Sequence, residues 1–408
     1  MSWKTLALAA LFSFSVPAWA DSYTMQPTRE STRTSDGLTL AFKHFPNPGA
    51  VPVLLVHGLA QNDRCWDPAL PQYSLARFLH SRGFDVWVGN MRAAGTPGFR
   101  SDTPPGPHHW TVDDYSTYDY PALVAKVEAT TGHTPFIVTH SLGTWALEGY
   151  LAGAHYTRNM DLRPDRSQGA ARRAKIPGII TISGVYNVWW SKHLDDAVSD
   201  PIRNIDDYYH SDYELELLAR VKPLYRVVPF VPALPLGWIN SVLNLPFASL
   251  PVIGPILGGE MQKLYVDFQD SVARTPVFSM FYYEPNIDAD LVRLHARDGL
   301  EDLGPRLLEQ LGNAYNDHLT QSYYHLERPE GAYAYGTVLS SLDVPMLVIA
   351  GNRDRMANIS MNYEDGFEKI HSSDKRFLAV DAGHLDILVG HNAPADVFAP
   401  VAEWLRAH

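Results

Sequence analysis

Short, uninterrupted apolar runs constrain this chain more than any other feature. Val51–Val56 stops at His57-Gly58, Pro135–Thr139 at His140-Ser141, Ile176–Ile182 at Ser183-Gly184 and Val344–Ala350 at Gly351. A strand covered on one face alternates apolar and polar residues, whereas one covered on both reads as a continuous apolar run. Phe84–Val88 and Arg376–Asp381 read as further strands, and Leu38–Phe45 alternates like an early one. Between the runs, Tyr73–Ser81, Ala122–Thr131, Thr144–Ala152 and the final Ala395–Ala407 have helical patterning, with Gly83 ending the first. Strands alternating with helices predict an α/β fold with a doubly wound, mostly parallel sheet. In such sheets the chemistry gathers at the carboxyl ends of the strands.

Two stretches break the rhythm. Asn90–Asp119, rich in Gly, Pro, Asp and His, reads as a long loop. Val185–Gly336 reads as an inserted cap, so the expected organisation is a core of 21–184 and 337–408 carrying a cap of 185–336. Within that insert, Pro223–Gly259 is dense in proline and apolar residues and holds a single charge, Arg226. Pro229, Pro232 and Pro235 disfavour a spanning helix there and suit a lid or an apolar pocket wall. Residues 1–20 have the pattern of a removable secretory signal: Lys4, an apolar run from Leu6 to Val16, and Ala18-Trp19-Ala20 before Asp21. The run is short for a membrane anchor, the competing reading, and no cysteine follows it to carry lipid. The expectation is a secreted or periplasmic protein without a stable membrane span after signal removal, its oligomeric state open.

A net charge of −12 without a basic stripe weighs against nucleic acid and against attachment to anionic lipid. With 46% apolar residues the chain can fill a large core without disulfides, which its one cysteine, Cys65, could not form internally. Cys65 could be a catalytic thiol or a bystander; no local motif surrounds it.

The chemistry concentrates in three places. Thr139-His140-Ser141-Leu142-Gly143 lies between a strand and a helix, the setting of a nucleophile elbow, although Thr139 stands where such turns usually have glycine. An ordinary turn with a helix-capping serine is the competing reading. His57-Gly58-Leu59 follows an early strand and suits an oxyanion loop, with the N–H groups of Leu59 and Leu142 as donors; His57 could instead be a base. Asp354, after Gly351, and His384, after Asp381-Ala382-Gly383, stand at two late strand ends. With Ser141 they give the order serine, acid, histidine, in which the acid orients the imidazole and the imidazole takes the serine proton. This chemistry needs no metal or cofactor. His108-His109 with Asp102, Asp113 and Asp114 could suggest a metal, but they lack a ligand pattern and read more simply as solvated loop. Trp189-Trp190, Tyr282-Tyr283 and Tyr323-Tyr324 could line an acyl pocket or simply pack.

Several segments resemble the acid lipase branch of the α/β-hydrolases, the family of lysosomal and gastric lipases. They are Leu54-Leu55-Val56-His57-Gly58-Leu59, Gly83-Phe84-Asp85-Val86-Trp87-Val88-Gly89-Asn90-Met91-Arg92, Tyr118-Asp119-Tyr120-Pro121-Ala122 and His384-Leu385-Asp386-Ile387-Leu388-Val389-Gly390. The resemblance covers the sheet portion. It implies an α/β-hydrolase fold, a triad of Ser141, Asp354 and His384, oxyanion donors at Leu59 and Leu142, and cleavage of lipid esters beneath a cap. Thr139 and Asn90–Gly95 depart from the family pattern. The resulting expectation is an exported serine hydrolase acting on carboxylic esters of lipid or other apolar acyl groups. A depolymerase of aliphatic polyesters would use the same residues, and an inactive binding protein would be expected to lack one of them.

Overall fold

The computed structural model describes residues 25–105, 110–158, 160–188, 281–317, 319–323 and 332–408. The signal segment, His108-His109, Trp189-Trp190, Tyr324 and Pro223–Gly259 lie outside the described residues.

Eight strands form one sheet: β1 (Thr28–Arg33), β2 (Thr39–Phe45), β3 (Pro52–Val56), β4 (Asp85–Gly89), β5 (Phe136–His140), β8 (Ile179–Ile182), β9 (Met346–Gly351) and β10 (Lys375–Val380). Their spatial order is β1-β2-β4-β3-β5-β8-β9-β10. β1 and β2 run antiparallel to their neighbours and all the other pairings are parallel. The helices are α1 (Leu75–Ser81), α2 (Tyr120–Thr131), α3 (Leu142–Leu151), α4 (Arg166–Arg173), α5 (Ala289–Gly299), α6 (Pro305–Asp317), α7 (Asp386–Val389) and α8 (Ala399–Ala407). This is the α/β-hydrolase fold that the sequence predicts.

The apolar runs are continuous because both faces of the sheet are covered. Leu54 and Val56 of β3 join one core with Trp87, Trp145 and Tyr335; Val53 and Leu55 join the other with Trp66, Val86 and Phe398. All ten residues of α3 are buried, so packing, rather than the helix propensity of a segment holding two glycines and a threonine, secures it.

The differences from expectation have physical causes. The loop after β4 ends early: the chain turns helical at Val112, nucleated by a capping box in which Thr111 and Asp114 bond each other's backbone. Strand β8 begins at Ile179 rather than Ile176, since Pro177 and Gly178 precede it. Three elements have no apolar signal. Edge strand β1 reads Thr-Arg-Glu-Ser-Thr-Arg, and the short hairpin β6 (His155–Tyr156) and β7 (Leu162–Arg163) leads into the polar helix α4. Helix α4 is held by Asp165 at its N-cap and by Arg172 and Arg173, which donate to the Tyr150 and Leu151 carbonyls at the end of α3.

Of the expected cap, residues 185–188, 281–317, 319–323 and 332–336 are described, and they meet the core through apolar packing and polar contacts. Gln310 and Tyr335 donate to Asp113, the Glu301 N–H donates to the Ala60 carbonyl, and Asn286 donates to Asp386. No helix of the described residues is long and apolar enough to cross a membrane.

Candidate active site

Strand β5 delivers the chain into a turn that only a tight local arrangement allows. Ser141 has φ 53° and ψ −128°, a left-handed conformation that costs an ordinary residue of order 1–3 kcal/mol. Hydrogen bonds on both sides hold it: its N–H donates to the Ile182 carbonyl, and its carbonyl accepts from Thr144 and Val185. A Cβ on Gly143 would lie 2.4 Å from Thr139 Oγ1 and 2.7 Å from the His57 carbonyl oxygen. The threonine that departs from the usual pattern therefore fills space that the glycine leaves open. Tyr120 Oη donates to the Gly143 carbonyl at 2.8 Å and lies 3.3 Å from Thr139 Oγ1, fixing the turn from below.

The three residues singled out at strand ends meet. Ser141 Oγ is 2.8 Å from His384 Nε2, and His384 Nδ1 is 2.8 Å from Asp354 Oδ2. Asp354 Oδ1 accepts from the N–H groups of Met356 and Ala357, so the carboxylate has one oxygen for its own loop and one for the imidazole. With Nδ1 facing an acceptor-only carboxylate, that nitrogen carries the proton and the Nε2 lone pair faces the serine hydroxyl. All three side chains are buried. Asp386, inside the segment that follows His384, accepts from Gly383 and Tyr283 N–H groups and from Asn286 Nδ2, which sets the position of the histidine loop. Burial, opposed by those bonds, raises its carboxyl to about 6.

The loop after β3 approaches Ser141 from the other side. A Cβ on Gly58 would lie 2.7 Å from Ser141 Cβ, so only glycine allows this approach. Leu142 is the first residue of α3, where N–H groups lack intrahelical partners. Neither its N–H nor that of Leu59 has a hydrogen-bond partner among the described residues. His57 has a partner at each ring nitrogen: its Nε2 accepts from the Met91 N–H and its Nδ1 faces the Gly58 carbonyl. Burial lowers it to about 4.

Two residues that the sequence did not mark tie this loop to the backbone of His384. His140 Nε2 lies 2.9 Å from the His384 carbonyl oxygen and its Nδ1 lies 2.9 Å from Gln61 Oε1. Both neighbours are acceptors, and burial holds the ring well toward its neutral form, so it donates to one of them at a time. A histidine closing an otherwise apolar strand was the only available signal for His140; Gln61 carried none.

The remaining candidates separate. Cys65 is buried, and burial pushes its thiol well up, away from the reactive thiolate. Asp102 accepts from the Thr39 N–H, and Asp114 from Thr111. Tyr282 packs in the core, Tyr283 stacks under Arg353, and Tyr323 bonds Asp113 and Glu309, so these aromatics serve packing and anchoring.

The profile of the alpha/beta hydrolase fold family matches residues 51–145, from β3 through the elbow. Triacylglycerol lipase 1 of Arabidopsis thaliana is 34% identical over 391 residues, covering 93% of this chain and 87% of that protein. Lipase lipl-3 of Caenorhabditis elegans is 32% identical over 136 residues, 30% of this chain, which spans only 33% of that relative's length. Among solved structures, an esterase from Thermogutta terrifontis covers 93% of this chain and 98% of its own at 16% identity, with a TM-score of 0.52; that likeness concerns the fold alone.

Proposed function

We propose that this chain, which belongs to the lipase family of the α/β-hydrolases and is a carboxylic ester hydrolase, cleaves lipid or other apolar acyl esters through an acyl-enzyme on Ser141. The observation that carries the reading is the unbroken, buried series Ser141 Oγ, His384 and Asp354, with both contacts at 2.8 Å. His384 Nε2 takes the serine proton as Oγ attacks the ester carbonyl. Asp354 keeps Nδ1 protonated and stabilises the imidazolium that forms. Charge then builds on the carbonyl oxygen, and the N–H groups of Leu59 and Leu142, without partners among the described residues, are its donors, fixed before reaction by the elbow and the Gly58 approach. The alcohol leaves with the proton from His384, and water repeats the sequence on the acyl-enzyme.

The cap of residues 185–336 is proposed to wall the acyl pocket. The pattern of residues 1–20 supports export. The test is a fluorophosphonate probe and a graded series of acyl esters, applied to the wild-type protein and Ser141→Ala. We expect the probe to label wild type alone, and the variant to lose at least about a thousandfold in turnover, as for removal of a triad member. A variant that keeps its turnover would defeat the assignment.

A further inference from the structure

Three polar atoms beside the reacting centre have no partner among the described residues: Gln61 Nε2, His295 Nδ1 and His295 Nε2. Both side chains are buried, at 3% exposure each. The Gln61 carboxamide cannot turn over to relieve this, because its oxygen accepts the Gly58 N–H at 2.9 Å, and a backbone N–H can only donate. The nitrogen is therefore the free end. A Cβ on Gly58 would meet both Ser141 Cβ and Gln61 Oε1, at 2.7 and 2.9 Å, which puts the carboxamide at the nucleophile's flank.

His295 comes from α5, which lies over the same loop: Asn62 Nδ2 donates to the Asp298 carbonyl and to Glu301 Oε1, and the Glu301 N–H donates to the Ala60 carbonyl. Its ring meets Tyr282 edge-on at 6.3 Å, and the Tyr282 carbonyl carbon lies 3.1 Å from a Cβ placed on Gly383, the residue before His384. Gln61 thus contacts His140, the residue that precedes Ser141 and contacts the His384 carbonyl, while His295 lies on a helix that packs on the Gln61 loop and against Tyr282 beside the His384 loop.

Buried polar atoms without partners are costly, and these three, on elements packed against each other, call for a ligand. Burial lowers His295 to about 4, so the ring is neutral and offers one donor and one acceptor. An ether or carbonyl oxygen can only accept, so it fits the ring only where the facing nitrogen carries the proton. A hydroxyl can accept from Gln61 Nε2 and, in addition, donate to an imidazole nitrogen that carries the lone pair or accept from one that carries the proton.

Resting on the serine-hydrolase reading above, we propose that Gln61 and His295 form a polar subsite beside Ser141 that binds a free hydroxyl of the ester, favouring substrates whose alcohol portion carries one. They are positioning residues for the substrate and take no part in bond making. The test compares kcat/KM for glyceryl monobutyrate, followed by acid release, with that for p-nitrophenyl butyrate, which has no hydroxyl. In His295→Phe and in Gln61→Glu the ratio of the two should fall about tenfold, the worth of about one hydrogen bond. His295→Gln should restore part of it. Thermal unfolding of each variant checks that it folds, and either variant alone suffices.

A ratio that stays at the wild-type value in both variants would overturn the proposal, whether both esters slow equally, as for a purely structural role, or neither slows, as for a site that holds only water. A wild-type protein inactive on both esters would sink the hydrolase reading itself, which the ratio alone cannot do.

Discussion

Asp354 and Asp113 are both buried aspartates, and what surrounds each decides what it can do. Asp354 faces an imidazole at 2.8 Å on one oxygen and two backbone N–H groups on the other. Among the described residues Asp113 faces only neutral donors: Gln310 Nε2 at 2.8 Å and Tyr335 Oη at 2.7 Å on one oxygen, and the Tyr323 N–H at 2.9 Å on the other. The first has a partner that can become a cation during a reaction. The second has a ring of donors drawn from the segment 305–336, and no cation among them. Burial, joined by the charge of Asp114 and opposed by these donors, pushes Asp113 up to about 7. One carboxylate orients the imidazole of the proposed proton relay, and the other is built into a clasp between the core and the expected cap.

The largest effect should come from breaking the relay. In Asp354→Asn the amide oxygen keeps one acceptor, but an amide nitrogen facing His384 Nδ1 favours the wrong tautomer. We expect turnover on a short ester to fall by roughly 10³–10⁴-fold. The matching change in the clasp, Asp113→Asn, should leave turnover within about threefold. Similar losses from the two variants, measured side by side, would show that the division between relay and clasp is mistaken.

The same contrast explains what could be read from the sequence. Ser141, Asp354 and His384 each follow a strand run and sit near a glycine, so their chain positions were legible. The fully covered strands were legible for the same reason, since burial on both faces leaves an unbroken apolar run. Edge strand β1 and helix α4 were not, because polar residues with solvent on one side carry no such period. The clasp was also hidden. Asp113 looked like one acid among several in a polar loop, and its partners lie about 200 residues further along the chain. Gln61, His140 and His295 acquire their setting only when distant segments converge, and no local pattern announces that.

A second way to sharpen the comparison is pH. Asp113 has a folded pKa raised from 3.8 to about 7, so the folded state holds its proton more tightly than the unfolded chain does. Its contribution to stability is fully present below about pH 4 and is lost as pH rises through about 7. Asp386, raised to about 6, adds a loss of the same sign. In Asp113→Asn this group no longer titrates. Thermal unfolding between pH 4 and 8 should show the variant less stable than wild type at pH 5, with the gap narrowing by several degrees toward pH 8. A constant gap across that range would mean that Asp113 does not change protonation on folding.

The smallest effect probes a single donor. Tyr335→Phe removes the hydroxyl that reaches Asp113 while keeping the ring edge-on to Trp145 of α3, 6.4 Å between centroids. Losing one hydrogen bond should cost about 1 kcal/mol at acidic pH. That donor also favours the charged carboxylate, so its loss should raise the Asp113 pKa further. The variant should then lose additional stability as pH rises, with the end of the loss displaced above about 7. The gap to wild type therefore widens with pH in Tyr335→Phe and narrows in Asp113→Asn. If the clasp were mere packing, the phenylalanine variant would differ from wild type by the same amount at every pH, because the ring contacts that remain do not titrate.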